Sequence, residues 1–189
     1  MSTRHDQLAD AAIRVLGTQG IRQLTHRAVD AEAELPVGST SNYFRTRQAL
    51  ISAVVGRLVV LDRIDWHRLT GLAQPADTES LAMALAGFVR LATGPERSRT
   101  LARYALFLES AVRPDLRDQL GQGRADIAEW ATASLRQVGS PDPQGHLRLL
   151  FRYLDGVILH QVAACDPHFD PLPDLRLLLT NLIGGSVRP

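Results

Sequence analysis

Six consecutive residues, Gly38-Ser39-Thr40-Ser41-Asn42-Tyr43, combine small side chains with hydroxyl and amide groups. Small residues allow a backbone to approach a surface closely, and Ser, Asn and Tyr can bond phosphate oxygens or base edges. This is the chemistry of nucleic-acid contact rather than of bond breaking. The sequence has no His-Glu-x-x-His, no Gly-x-Ser-x-Gly elbow and no Walker loop. Gly121-Gln-Gly123 lacks the third glycine and the preceding strand of a dinucleotide site. His160, Cys165, Asp166 and His168 lie close together, but His160 and Cys165 are five apart and do not share a helical face. No enzyme, metal or cofactor is therefore expected. Cys165 is the single cysteine, so an internal disulfide is excluded, and the residue reads as packing at a helix end.

The elements needed to present the polar run are visible on either side of it. Thr25 precedes an apolar repeat at Ala28, Val29, Ala31 and Ala33 and can cap a short helix from about Thr25 to Ala33. Leu35-Pro36 then breaks that helix, and Pro36 suits the first position of a second one running to Tyr43. Phe44 gives this short helix an apolar anchor, and Thr46 offers a cap for a helix starting at Arg47.

The order of Thr-led helix, break, Gly-containing polar helix, aromatic pair and basic residue resembles the helix-turn-helix of the TetR family of transcriptional regulators. The matching residues are Thr25, Gly38, Tyr43-Phe44 and Arg47. The resemblance implies that Thr25 and Arg27 face phosphates, and that Val37, Gly38, Ser39, Ser41, Asn42 and Tyr43 face the major groove of double-stranded DNA. It also implies that Arg47 clamps the DNA backbone. Two positions depart from the family pattern. Glu34 stands where the turn usually has Gly, so a left-handed conformation there carries a modest cost. Ser41 stands where an aromatic residue is frequent. These departures are the best support for an alternative, an all-helical protein- or ligand-binding module with a degenerate N-terminus that does not read DNA.

Charge alone does not argue for DNA. The 189 residues carry a formal net charge of +1, and all basic residues are Arg. Residues 1 to 50 hold six arginines against five acids, so affinity requires Arg4, Arg22, Arg27, Arg45 and Arg47 to cluster while the acids face away. The start of the chain lacks an apolar signal core and no apolar run approaches the ~20 residues of a membrane span, so a cytoplasmic protein with no membrane partner is expected.

Beyond Leu50 the pattern is helical throughout. A long helix from Thr46 ends near Gly71 to Pro75, followed by helices from about Asp77 to Thr93, Pro95 to Val112, Pro114 to Val138, Pro143 to Ala164 and Pro173 to Leu182. Gly121 and Gly123 are expected to bend or split the helix from Pro114. The fold class is thus all-α with about nine helices, a number typical of the family. A helix-turn-helix domain over residues 1–47 precedes a helical effector-binding and dimerisation domain over 48–189. The stretch LLFRYLDGVIL from Leu149 to Leu159 is similar to one group of TetR-family C-terminal domains.

The helical domain offers two further sets of candidates. Apolar stripes carrying Leu147, Leu150, Leu154 and Ile158 on one helix and Leu175, Leu178 and Leu182 on the next either pack into the monomer core or meet their copies across a two-fold axis, and the homodimer is preferred because a pseudo-palindrome needs two heads. Trp66, Phe88, Tyr104, Phe107, Leu108, Trp130 and Phe151 could line an effector pocket, with Glu109, Asp155 or His160 orienting the ligand. Aromatic residues at helical spacing also serve as plain core. The resemblance implies that an effector in this domain shifts the long helix, changes the spacing of two reading heads and releases a pseudo-palindromic operator.

Overall fold

The computed structural model describes residues 3–70 and 75–184, apart from the side chains of residues 66, 67, 69, 70, 115 and 122–126. The Trp66 side chain and residues 71–74, where the long helix is expected to end, therefore lie outside the described residues. Among the described residues every regular element is a helix: α1 (Arg4–Gln19), a short 3-10 turn (Ile21–Gln23), α2 (His26–Glu32), α3 (Ser39–Tyr43), α4 (Arg47–Thr70), α5 (Thr78–Thr93), α6 (Arg97–Ser110), α7 (Pro114–Gln137), α8 (Pro143–Ala164) and α9 (Leu172–Gly184). None of these helices is long and apolar enough to cross a membrane.

The helix ends follow local chemistry. Thr3 and Asp6 form a reciprocal capping box on α1, and Asp77 and Ser80 form another on α5. Asp142 caps α8 with Pro143 in its first turn, and Gly139, at φ 86°, turns the chain between α7 and α8. α7 is not split at Gly121 and Gly123, being one helix from Pro114 to Gln137. Each glycine costs about 1 kcal/mol relative to Ala, and burial of Leu116 near one end and Ala131 and Leu135 near the other outweighs that local preference.

The chain divides into two compact units. One comprises Met1–Ile64 with Glu96–Arg124. Its core joins the apolar face of α1 (Leu8, Val15, Leu16) to Leu24, Val29 and Phe44 of the short segments that follow and to Leu50, Val54 and Leu58 of α4. In this unit α4 as far as Ile64, all of α6 and the start of α7 group with the N-terminal helices. Bidentate bonds of 2.7 and 2.8 Å from Arg57 to Asp10 tie α4 to α1, and Arg103 pairs with Asp62 to tie α6 to α4. The other unit comprises Asp65–Pro95 with Ala125–Pro189, where α5 packs on α8 and α9, and Leu81, Leu85, Val89, Leu150 and Leu175 on these helices are buried.

The seam between α1 and α6 is closest at Gly17, where an added Cβ would lie 1.9 Å from the Ser98 carbonyl oxygen. Nothing lies within 4 Å of a Cβ at Gly56 on α4. Gly17→Ala should destabilise the protein by about 1–3 kcal/mol through overpacking, whereas Gly56→Ala should stabilise it by about 0.5–1 kcal/mol through helix propensity. Urea unfolding of the two variants measures both signs.

Candidate nucleic-acid interface

Thr25 caps α2, its hydroxyl oxygen accepting the Ala28 N–H at 3.1 Å. At the far end of α2 the chain turns through Glu34, whose φ is 55°, so this non-glycine residue does adopt the left-handed conformation. The Leu35 N–H closes the turn on the Asp30 carbonyl at 2.9 Å.

Asp30 is the residue the sequence reading misplaced. Counted there among acids facing away, it is 1% exposed. Its carboxylate accepts the Gly38 N–H at 2.8 Å, the Thr40 N–H at 2.7 Å and the Thr40 hydroxyl at 2.5 Å. Burial would raise its pKa, but the donors on Thr40 and Gly38, helped by the nearby His26, outweigh that and hold the carboxyl below its ordinary value. A sequence signal existed: Asp30 adjoins Val29 and precedes Ala33 by three, placing it on the inward arc of α2.

This anchor also corrects the start of the next helix. α3 begins at Ser39, not Pro36, because Gly38 at φ 97° is left-handed and cannot continue a helix. Pro36–Ser39 is instead a tight turn, with the Ser39 N–H donating to the Pro36 carbonyl at 3.1 Å. The Ser39 hydroxyl donates to the same carbonyl at 2.7 Å, and the Ser41 hydroxyl donates to the Gly38 carbonyl at 2.9 Å. At the other end of α3, Phe44 is buried and meets the His5 ring edge-on with centroids 4.9 Å apart, while its carbonyl lies 2.5 Å from His26 Nε2. Thr46 caps α4 by accepting the Ala49 N–H at 3.0 Å.

Thr25, Arg27, Val37, Ser41, Asn42 and Tyr43 are exposed, and Gly38 and Ser39 are half-buried. Arg47 is exposed as well. Its guanidinium donates to the carbonyls of Leu24 and Ile21, so it holds the 3-10 turn against the start of α4. Arg22, Arg27 and Arg45 are exposed without an ion-pair partner among the described residues.

The other candidates are placed within their own units. Tyr104 is half-buried on α6, whereas Phe107 and Leu108 face outward at 49% and 71% exposure, and Glu109 lies 3.9 Å from Arg113. In the second unit Phe88, Trp130, Phe151 and Asp155 are half-buried and His160 is exposed. An open groove of about 440 Å³ between α7 and α8 is lined by Glu129, Thr132, Arg136, Gln144, Leu147 and Arg148. Leu147 is its only member from the candidate sets.

Leu147, Leu150, Leu154, Ile158 and Leu175 are buried within the single chain, and Leu178 and Leu182 are half-buried. The inward part of these stripes thus contributes to this unit's own core, while Leu178 and Leu182 stay partly open. The outward faces of the same helices carry Leu149, Leu159 and Leu177 at 48%, 49% and 66% exposure.

Residues 76–185 match the family model described as the tetracyclin repressor-like C-terminal domain. The chain belongs to the TetR family. Among solved structures it is similar to the multidrug-binding protein EbrR in complex with imidazole, at 30% identity and TM-score 0.68 over 97% of this chain and 96% of that one. EbrR has also been solved with ethidium, proflavin and malachite green. A TetR-family member from Streptomyces coelicolor A3 matches at 30% identity and TM-score 0.69 over 96% and 99% of the two chains. A transcriptional regulator from Rhodococcus sp. Rha1 shares the fold, with TM-score 0.77 and 22% identity over 99% and 100%. No protein of curated function matches. As a TetR-family member the chain is a DNA-binding, ligand-responsive transcriptional regulator, not an enzyme.

The Asp30 anchor has two measurable consequences. Thr40→Val should cost about 1–3 kcal/mol by leaving a buried carboxylate short of a donor. Because the folded pKa of Asp30 is depressed, its contribution is complete above the unfolded value of about 3.9 and is lost as pH falls through the folded value. Acid unfolding should therefore be shallower below about pH 4 for Asp30→Asn than for the parent protein.

Proposed function

We propose that this TetR-family regulator is a cytoplasmic homodimeric repressor that leaves a pseudo-palindromic operator when a small molecule occupies its helical domain. The observation that carries the reading is the exposed surface of α3, fixed by Asp30 on one side and by Phe44 on the other. Such a surface presents side chains to a major groove, and the exposed Arg22, Arg27 and Arg45 supply phosphate contacts around it. A five-residue helix covers only a few base pairs, so useful affinity requires a second head one helical turn away, about 34–36 Å, or a multiple of that distance.

The outward stripe of α8 and α9 suits the dimer contact. Leu149 and Leu159 lie on α8 with exposed Gly156 between them, and Leu177 lies on α9. A glycine at mid-helix permits close approach of a symmetry-related copy. Release follows from linkage: the effector must bind the DNA-free form more tightly by the factor it removes from DNA affinity.

EbrR, at about 30% identity, is solved with ethidium, proflavin and malachite green, and this chain's helical domain supplies aromatic residues and carboxylates. Its effector is therefore an aromatic cation, a class held by ring faces and acidic groups.

Selection of duplexes from a random pool by the purified protein should enrich an inverted repeat, with affinity falling steeply as salt rises. Malachite green should bind in the absence of DNA and, added to the complex, release the selected duplex. Sequence-blind binding would overturn the repressor reading. Leu159→Asp combined with Leu177→Asp should convert dimer to folded monomer in sedimentation and weaken operator binding at least about tenfold, since the second head is no longer tethered.

A further inference from the structure

Val37 is the most exposed large hydrophobic side chain among the described residues, at 82%. A lone surface aliphatic ordinarily needs no explanation. The way Val37 is held sets it apart. On one side Pro36 has a fixed φ and its carbonyl takes two bonds from Ser39, at 3.1 and 2.7 Å. On the other side the Gly38 N–H is bound to the buried Asp30 carboxylate at 2.8 Å. The backbone on both sides is therefore fixed by bonds inside the module, while the side chain touches little. A β-branched residue is also stiff at χ1, so Val37 loses little freedom on contact.

Its chemistry narrows what it can meet. Valine has no donor or acceptor and cannot bond a phosphate or a polar base edge. The apolar group that the major groove offers is the C5 methyl of thymine. Neighbouring hydroxyls do not compete for it, since Ser39 and Ser41 donate to backbone carbonyls and present only lone pairs outward.

We propose that Val37 is a specificity-determining residue that packs against the thymine C5 methyl at one position of each operator half-site. This rests on the operator-reading function proposed above. The turn from Pro36 to Thr40 acts as a rigid mount that holds the isopropyl group in the groove. The contact reads thymine as thymine, not simply as a member of an A·T pair, because uracil makes the same base pair without the methyl.

The test uses the full-length protein and the operator obtained by selection. Each symmetric pair of thymines is replaced in turn by deoxyuridine, and affinity is measured by fluorescence anisotropy. One pair should matter, with a loss of about fourfold per half-site, the equivalent of about 0.8 kcal/mol for one buried methyl-sized group. Val37→Ala should bind the thymine operator correspondingly more weakly and should be indifferent to uracil at that pair. Specific binding with no sensitive thymine overturns the contact alone, as does a Val37→Ala variant that keeps the uracil effect. A folded protein that selects no duplex overturns the DNA-reading function and this contact with it.

Discussion

The proposed reading face depends on one buried carboxylate. α3 spans only Ser39–Tyr43, and a helix so short cannot sustain itself, because nucleation fixes several dihedrals for very few hydrogen bonds. Something outside the helix must define it. Asp30 does so by gathering three donors from Gly38 and Thr40 across eight to ten residues of sequence. Charge-assisted bonds of this kind are stronger than neutral ones, and they are directional as well. They fix which residues of the turn face inward and therefore which face out.

The same arrangement explains how a module of nearly balanced charge can present a cationic face. Several of its acids are occupied internally: Asp6 in the cap of α1, Asp10 on Arg57, Asp30 on the recognition turn and Glu32 on Arg14 at 2.6 Å. Arg47, on the basic side, is occupied too, holding the carbonyls of Ile21 and Leu24. What remains for an anionic partner is set by the uncommitted groups, Arg22, Arg27 and Arg45 against the single exposed Glu34, not by the sum of charges.

The elements were legible in the sequence where the signal is local. Thr25, Thr46, Asp77 and Pro143 each announce a helix start within a few residues, and the observed helices begin within about two residues of those marks. The start of α3 was not legible, because the decisive partner of Gly38 and Thr40 is a residue on another helix. Arg47 shows the same limit: its spacing after Phe44 identifies a family position, while its bonding depends on where the 3-10 turn lies in space. The apolar stripes of α8 and α9 show a third. Periodicity finds apolar faces, but α8 carries two of them. The broader stripe, from Leu147 to Ile158, is the core, and the sparser one, with Leu149 and Leu159, faces out.

That division on α8 bears on regulation. A helix whose core face and outward face are different residues can change its assembly without loosening its own domain, since exposed leucines contribute little to the monomer's stability. In the dimer proposed here each head has a small footprint, and affinity comes from joining two of them, which makes the second contact intramolecular. Such a system is sensitive to geometry. An effector need not unfold the Asp30 anchor or alter any base contact; it need only favour a form in which the two heads no longer match the operator spacing. The energy required is the loss of the tethering advantage alone, and a ligand can supply it by binding one form tens to hundreds of times more tightly than the other. Rigid heads on an adjustable spacing are therefore the arrangement in which a small ligand has the largest effect on DNA binding.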